Sequence, residues 1–440
     1  MRLVSSALIT AVLATLTGCP DRELAKLDPS ADKAETKEIP VTLNDNVDIL
    51  FVVDNSGSMK EEQTSLAANF PRFIQKLATL PNGLPSVHIG VVSTDVGTGN
   101  NDICNGVGDD GQLQTNGCGG ISGAYLSDVA TAGGGRDRNY SGDLAQQFAC
   151  TAQLGTSGCG AEQPLESMRL ALDPTRNKNP GFIRDNAYLA VVIISDEDDC
   201  STRDRAMFGL QSSTTSSLFS CTAYGLSCDE ADLTGAGAKH GCIPNEESQY
   251  MYGVDEYADF LIGLKGEKNV IVAGITGDPD PVTVVHDDNG DPVLSPSCES
   301  QFGKATPAVR NRAFLDHFSQ RTAVRICDSD LSAALDKIAV GILGAIGDPC
   351  IQGTLADRNP SVDGVQPECS VTDVIHPDTA TEEQHSVAAC NAAVSNTPCW
   401  RLVTDADQCG DWPSKLKLVV ERGSTTVPSD THVRAQCVTR

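Results

Sequence analysis

Ile49-Leu50-Phe51-Val52-Val53-Asp54-Asn55-Ser56-Gly57-Ser58-Met59 is the stretch on which the reading of this chain turns. Five consecutive apolar residues are what a strand buried on both faces requires. They run straight into one carboxylate and two hydroxyls, three oxygen donors on a strand-end loop, and hard divalent cations prefer such ligands. Outward from this point, residues 60–80 carry Leu66, Phe70, Phe73, Ile74 and Leu77 at helical spacing, and residues 87–93 form a second apolar, β-branched strand. Strand, helix, strand is the unit of a parallel sheet covered by helices.

The alternation resumes further along. Residues 163–172 read as helix, and 187–195, through Val191-Val192-Ile193-Ile194, as the clearest central strand, which runs into Asp196-Glu197-Asp198-Asp199. Helix at 254–264, strand at 269–275, helix at 307–320, a short strand at 323–326 and helix at 329–343 complete the pattern. Between them, 97–123 reads as a Gly-, Asn- and Asp-rich loop and 200–248 as an insertion with four cysteines. Asp287-Asp288-Asn289-Gly290-Asp291 has the composition of a calcium loop but lacks the EF-hand spacing, and reads as a turn. Residues 350–440 hold six cysteines and strand-like runs at 400–404 and 416–421, so this part is expected to be a small β-rich region stapled by disulfides.

The formal charge of -27 opposes binding to nucleic acid or to anionic lipid, which both attract Lys/Arg patches. Arg2 precedes an apolar run over residues 3–16 that is short for a membrane span and has the shape of a secretion signal. Leu16-Thr17-Gly18-Cys19 follows and resembles the bacterial lipoprotein lipobox, which implies lipidation of Cys19. The expected organisation is a signal peptide at 1–18, a lipidated flexible tether at 19–46, an α/β domain at 47–346 and the stapled region at 347–440. An N-terminal lipid would be the one membrane attachment, in an exported protein held in the cell envelope at the outer membrane or cell surface.

Seventeen cysteines less Cys19 leave sixteen, an even number, which in an exported chain points to disulfides. Nearness in sequence suggests Cys104 with Cys118, Cys150 with Cys159, Cys228 with Cys242, and Cys298 with Cys327.

Asp54-x-Ser56-x-Ser58 after the first strand, the alternation beyond it and Asp196 after a strong central strand together resemble a von Willebrand factor type A domain over residues 47–346. The resemblance implies a Rossmann-type, mostly parallel central sheet flanked by helices, here with disulfide-rich insertions. It also implies one metal-ion-dependent adhesion site for Mg²⁺, Mn²⁺ or Ca²⁺, with Asp54, Ser56, Ser58 and Asp196 as ligands. In that family a threonine from a middle loop completes the set; the matching position here is Glu162. Either Glu162 ligates directly, or Thr151, Thr156 or Ser157 supplies a hydroxyl while Glu162 acts as a charge at a helix start. Asp198 and Asp199 read as solvated or supporting carboxylates. The competing reading of Asp54, Ser56 and Ser58 is a helix-capping turn.

No Gly-x-Ser-x-Gly elbow, His-Glu-x-x-His or Walker phosphate loop is present, and His88 reads as a packed strand residue rather than a general base. The expectation is a non-enzymatic protein that binds another protein or a matrix component through its metal face. An envelope scaffold, with structural metal or none, is the alternative, and a metal-dependent hydrolase a third.

Overall fold

The computed structural model describes residues 33–40, 46–79, 83–100, 103–131, 135–210, 218–301, 303–328, 331–346, 349–359, 361, 366–375, 381–390, 398–406, 409–410, 412–422 and 431–439. The expected signal peptide, Cys19 and residues 19–32 and 41–45 of the tether lie outside them.

In chain order, β1 (Lys33–Pro40), which joins a second sheet, is followed by the elements of the main domain: β2 (Asn46–Val53), α1 (Lys60–Leu77), β3 (Ser86–Ser93), β4 (Leu126–Ala130), β5 (Arg136–Arg138), α2 (Leu144–Thr151), α3 (Pro164–Leu172) and β6 (Tyr188–Ile194). After these come α4 (Val254–Lys265), β7 (Val270–Thr276), α5 (Val309–Asp316), β8 (Arg321–Arg325) and α6 (Leu331–Ile346). Seven strands form the central sheet in the order β8-β7-β6-β2-β3-β4-β5. The five from β8 to β3 are parallel, and β4 and β5 close that edge antiparallel.

The apolar runs are explained by layers on both faces. Along β2, Val47, Ile49, Phe51 and Val53 pack to one side with α1, α2 and α6, while Leu50 and Val52 pack to the other with α3, α4 and α5. Successive side chains of a strand point to opposite faces, so only a continuous apolar run can serve two cores. On α1, Leu66, Phe70, Phe73 and Leu77 are at most 1% exposed. Each such side chain contributes about 1.5–3 kcal/mol on burial. Phe51, three residues before Asp54, sits among Phe70, Phe73 and Phe148 with ring centroids 5.8, 5.5 and 4.7 Å away, which anchors the strand end that carries the first acid.

Five C-terminal strands, β9 (Cys369–Ile375), β10 (Glu383–Ala389), β11 (Cys399–Thr404), β12 (Leu416–Glu421) and β13 (His432–Thr439), make a second sheet with β1 in the order β1-β13-β9-β10-β11-β12. Its core is Val371, Val387, Trp400, Leu418 and Val433. Residues 33–40 therefore depart from the expected flexible tether: they pair antiparallel with β13 from Lys33 opposite Thr439 to Pro40 opposite His432. Backbone pairing rather than an apolar pattern selects that segment.

Eight disulfides use all sixteen remaining cysteines. Cys228–Cys242 and Cys298–Cys327 are as expected. Two pairings are corrected: Cys104 bonds Cys159 and Cys118 bonds Cys150, so the 97–123 loop is tied to the α2–α3 segment rather than to itself. Residues 287–291 form a turn, with the Asp287 carboxylate accepting from the Asn289 and Asp291 amides at 2.9 Å. Among the described residues, no helix is long and apolar enough to cross a membrane.

Candidate metal centre

Ligands of parallel α/β sheets gather beyond the carboxyl ends of the strands, and there the loops leave β2, β3 and β6 still in register. Asp54 donates its amide to Ile194 O at 2.9 Å, and Thr94 donates to Val53 O at 3.2 Å. Asp54 is fully buried. Its Oδ1 accepts the Ser56 amide at 2.8 Å and its Oδ2 accepts the Ser195 hydroxyl at 2.7 Å. The turn this creates brings Ser56 Oγ within 2.9 Å of Ser58 Oγ, and Ser58 Oγ donates to Asp196 Oδ1 at 3.2 Å. Four of the five expected ligands thus form one connected set. The helix-capping reading is set aside by the same geometry, because neither Ser56 nor Met59 makes a side-chain cap bond at the start of the helical turn or of α1.

Glu162 joins them from the start of α3. Gln163 donates its amide to Thr94 O at 3.1 Å and Cys200 donates to Glu162 O at 2.7 Å, pinning this residue between the ends of β3 and β6. The side chain is 1% exposed, Oε2 accepts from the Thr94 hydroxyl, and Oε1 is buried with no partner. The Thr151 hydroxyl donates to Phe148 O at 2.9 Å. No hydrogen bond links Thr156 or Ser157 to the acids. Their loop is instead laid along the metal loop, with Gly158 donating to Asn55 O at 2.8 Å and Gln63 bridging Asp54 O and Gly155 O. A Cβ on Gly158 would fall 2.1 Å from the Asn55 side-chain oxygen, so this close approach needs glycine.

Electrostatics single the cluster out. Burial raises the Asp54 carboxyl despite the bonds from Ser56 and Ser195. Burial, then the charges of Asp54 and Glu197, holds Glu162 well above the usual carboxylate range. Burial and Asp54 push Asp196 up to about 7, and burial with Asp54 and Asp196 pushes Glu197 up to about 8. Among the described residues, none of these four acids has a Lys, Arg or His ion-pair partner. Buried charge without compensation is costly, and a dication bordered by these oxygens would supply the compensation. Two hydroxyls and three carboxylates, one of them with an orphaned buried oxygen, suit a hard cation such as Mg²⁺. Carboxylate oxygens of Asp54, Glu162 and Asp196 do not all lie within 4.8 Å of one another. Among the described residues the trio that does, Cys390, Cys399 and Glu421, has its cysteines locked in a disulfide.

The neighbouring acids serve elsewhere. Asp198 accepts the Arg310 and Asn311 amides at 3.0 Å, and the fully buried Asp199 pairs with the Arg310 guanidinium at 3.1 Å. Asp199 is therefore a structural ion pair rather than a solvated acid. Thr94, Ser195, Gln63 and Glu197 belong to the neighbourhood and escaped the reading from sequence; Thr94 and Ser195 each immediately follow or end an apolar run, which is the only signal they carry.

No protein-family profile matches the chain, and no curated protein matches it in sequence. Among solved structures, the pilus adhesin RrgA from Streptococcus pneumoniae aligns with a TM-score of 0.31 and 11% identity over 92% of this chain and 57% of its own. The conserved hypothetical protein BatB from Bacteroides thetaiotaomicron aligns with 0.28 and 13% over 68% and 98%. A von Willebrand factor type A protein from Catenulispora acidiphila aligns with 0.27 and 11% over 93% and 65%. The chain thus spans less than two thirds of the adhesin and of the Catenulispora protein. Its own sheet order, mostly parallel with acids at the ends of β2 and β6, agrees with the α/β architecture expected from the sequence resemblance.

Proposed function

We propose that this chain is an exported, non-enzymatic binding protein that engages another protein or a matrix component through a divalent cation held by Asp54, Ser56, Ser58, Glu162 and Asp196. The observation that carries the reading is the buried, partnerless Oε1 of Glu162 beside Asp54, in a cluster of acids with no ion-pair partner among the described residues. A bound dication would supply positive charge to the acids and a coordination position open to a partner's oxygen. Eight disulfides support folding in an oxidising compartment. Lipidation of Cys19 would then hold the protein to a membrane, and a Cys19→Ala chain is expected in the soluble fraction.

Calorimetry with Mg²⁺, Mn²⁺ and Ca²⁺ on the wild type and on Asp54→Ala tests the ion. Pull-down with and without chelator tests its use. Saturable binding lost in Asp54→Ala, with capture that chelator abolishes, is the expected result; capture indifferent to chelator would favour the envelope scaffold.

A further inference from the structure

Beside the ion-binding acids lies a cavity of about 250 Å³. Glu162 and Glu197 line its acidic part, while Leu218 and Phe219 from one insertion and Val293 and Leu294 from another supply apolar wall. The Cys200–Cys221 disulfide ties the first of these insertions to the end of β6. Small-molecule sites typically occupy roughly 300–1,000 Å³; this volume suits a single side chain.

Its chemistry is mixed in a specific way. Leu218, which lines the cavity, is 46% exposed. Glu197 lines the cavity too, and its backbone is hydrogen-bonded to the Ser195 hydroxyl and the Asn311 side-chain amide. Asp198, which also lines the cavity, is already occupied by the amides of Arg310 and Asn311. An apolar sleeve ending in carboxylates complements a side chain with an aliphatic stem and a cationic head. The ion does not reverse this preference. Asp54, Glu162 and Asp196 carry three formal negative charges against two positive, and Glu197 stands outside that count, so a partner carboxylate would enter an anionic face.

We propose that this cavity is the recognition pocket of the metal face, and that it receives a lysine or arginine side chain of a protein partner, with the stem along Leu218, Val293 and Leu294 and the cationic head at Glu197. The proposal rests on the metal-face reading for its role, but the pocket binds its ligand through separate groups.

The experiment titrates the Mg²⁺-loaded full chain with N-acetyl-lysine methylamide, its norleucine counterpart lacking the ammonium, and N-acetyl-glutamate methylamide, followed by NMR. The lysine probe is expected to bind in the millimolar range and ahead of both others. Glu197→Gln should weaken the lysine probe by about ten-fold while leaving the norleucine probe unchanged. Val293→Trp should exclude lysine and norleucine probes alike with Mn²⁺ binding and melting temperature retained. Equal binding of the norleucine probe, preference for the glutamate probe, indifference to Glu197→Gln, or no lysine binding at about 10 mM would each overturn the pocket. Mn²⁺ titration of the same samples separates the two readings: loss of the ion reading with lysine binding intact would leave the pocket standing without its assigned role.

Discussion

Two buried carboxylates flank the same strand, and the chain treats them in opposite ways. At the start of β2, Asp48 accepts the Arg184 guanidinium at 2.7 Å and the Arg184 amide at 2.6 Å, with His88 3.6 Å away. On the same side of the domain, Asp128 is met by Arg136, Arg138 and Tyr140. Just past the end of β2, Asp54 meets only an amide and hydroxyls, and its neighbours Glu162, Asp196 and Glu197 are acids too. Both ends are buried, so burial alone does not distinguish them. The fold supplies arginines to Asp48 and Asp128, whereas among the described residues none pairs with Asp54, Glu162, Asp196 or Glu197, which is the difference that the proposed cation would make good.

Breaking the self-sufficient end should have the largest effect. Arg184→Ala strands Asp48 in the interior and is expected to cost about 3–5 kcal/mol in denaturant unfolding, with Mn²⁺ affinity unchanged. A variant as stable as the wild type would show that the two ends are not built differently. At the other end, stability should follow the ion: Mg²⁺ at a hundred times its dissociation constant should add about 2.7 kcal/mol to the wild type and nothing to Asp54→Ala, read from melting curves with and without chelator.

Glu162 sharpens the comparison by one residue. Glu162→Thr removes a charge from the ion's surroundings and should lower Mn²⁺ affinity by about ten-fold or more, by calorimetry, with the fold intact by circular dichroism. Unchanged affinity would remove Glu162 from the site.

The smallest effect concerns His88. Burial, more than any neighbour, lowers its pKa; a bond from its ring to Phe182 O, with Asp48, opposes and the nearby Arg184 reinforces that shift. Tyr125 packs against the ring. A depressed histidine is neutral in the folded state while the unfolded chain protonates below about 6.5. Its contribution is therefore lost as pH falls from about 6.5 toward the folded value, by less than about 1.4 kcal/mol per pH unit. His88→Phe should flatten that part of the stability profile, measured by urea unfolding between pH 7.5 and 5.5.

Much of this was legible in the residues. β2 and β6 carry continuous apolar runs because helices cover both their faces, and the acids after them mark the carboxyl edge. The edges were harder. Short β4 and β5, with burial that alternates or fades, and eight-residue α2 leave little periodic signal in Gly-rich surroundings. Residues 33–40, Lys-Ala-Glu-Thr-Lys-Glu-Ile-Pro, are charged and become strand only through the ladder with β13. The disulfides that were foreseen close spans of 14 and 29 residues, whereas Cys104–Cys159 and Cys118–Cys150 follow the path of a loop folded over the α2 segment, which spacing does not encode. Glu162 was placed by alignment to a motif, but its bond to Thr94 depends on α3 starting against the end of β3, a tertiary fact.

Anomalous diffraction from Mn²⁺-soaked crystals of the wild type tests the central claim most directly. A manganese peak coordinated by Ser56 Oγ and Ser58 Oγ and bordered by Asp54, Glu162 and Asp196 is the expected result. Empty density there, with manganese bound elsewhere or not at all, would contradict it.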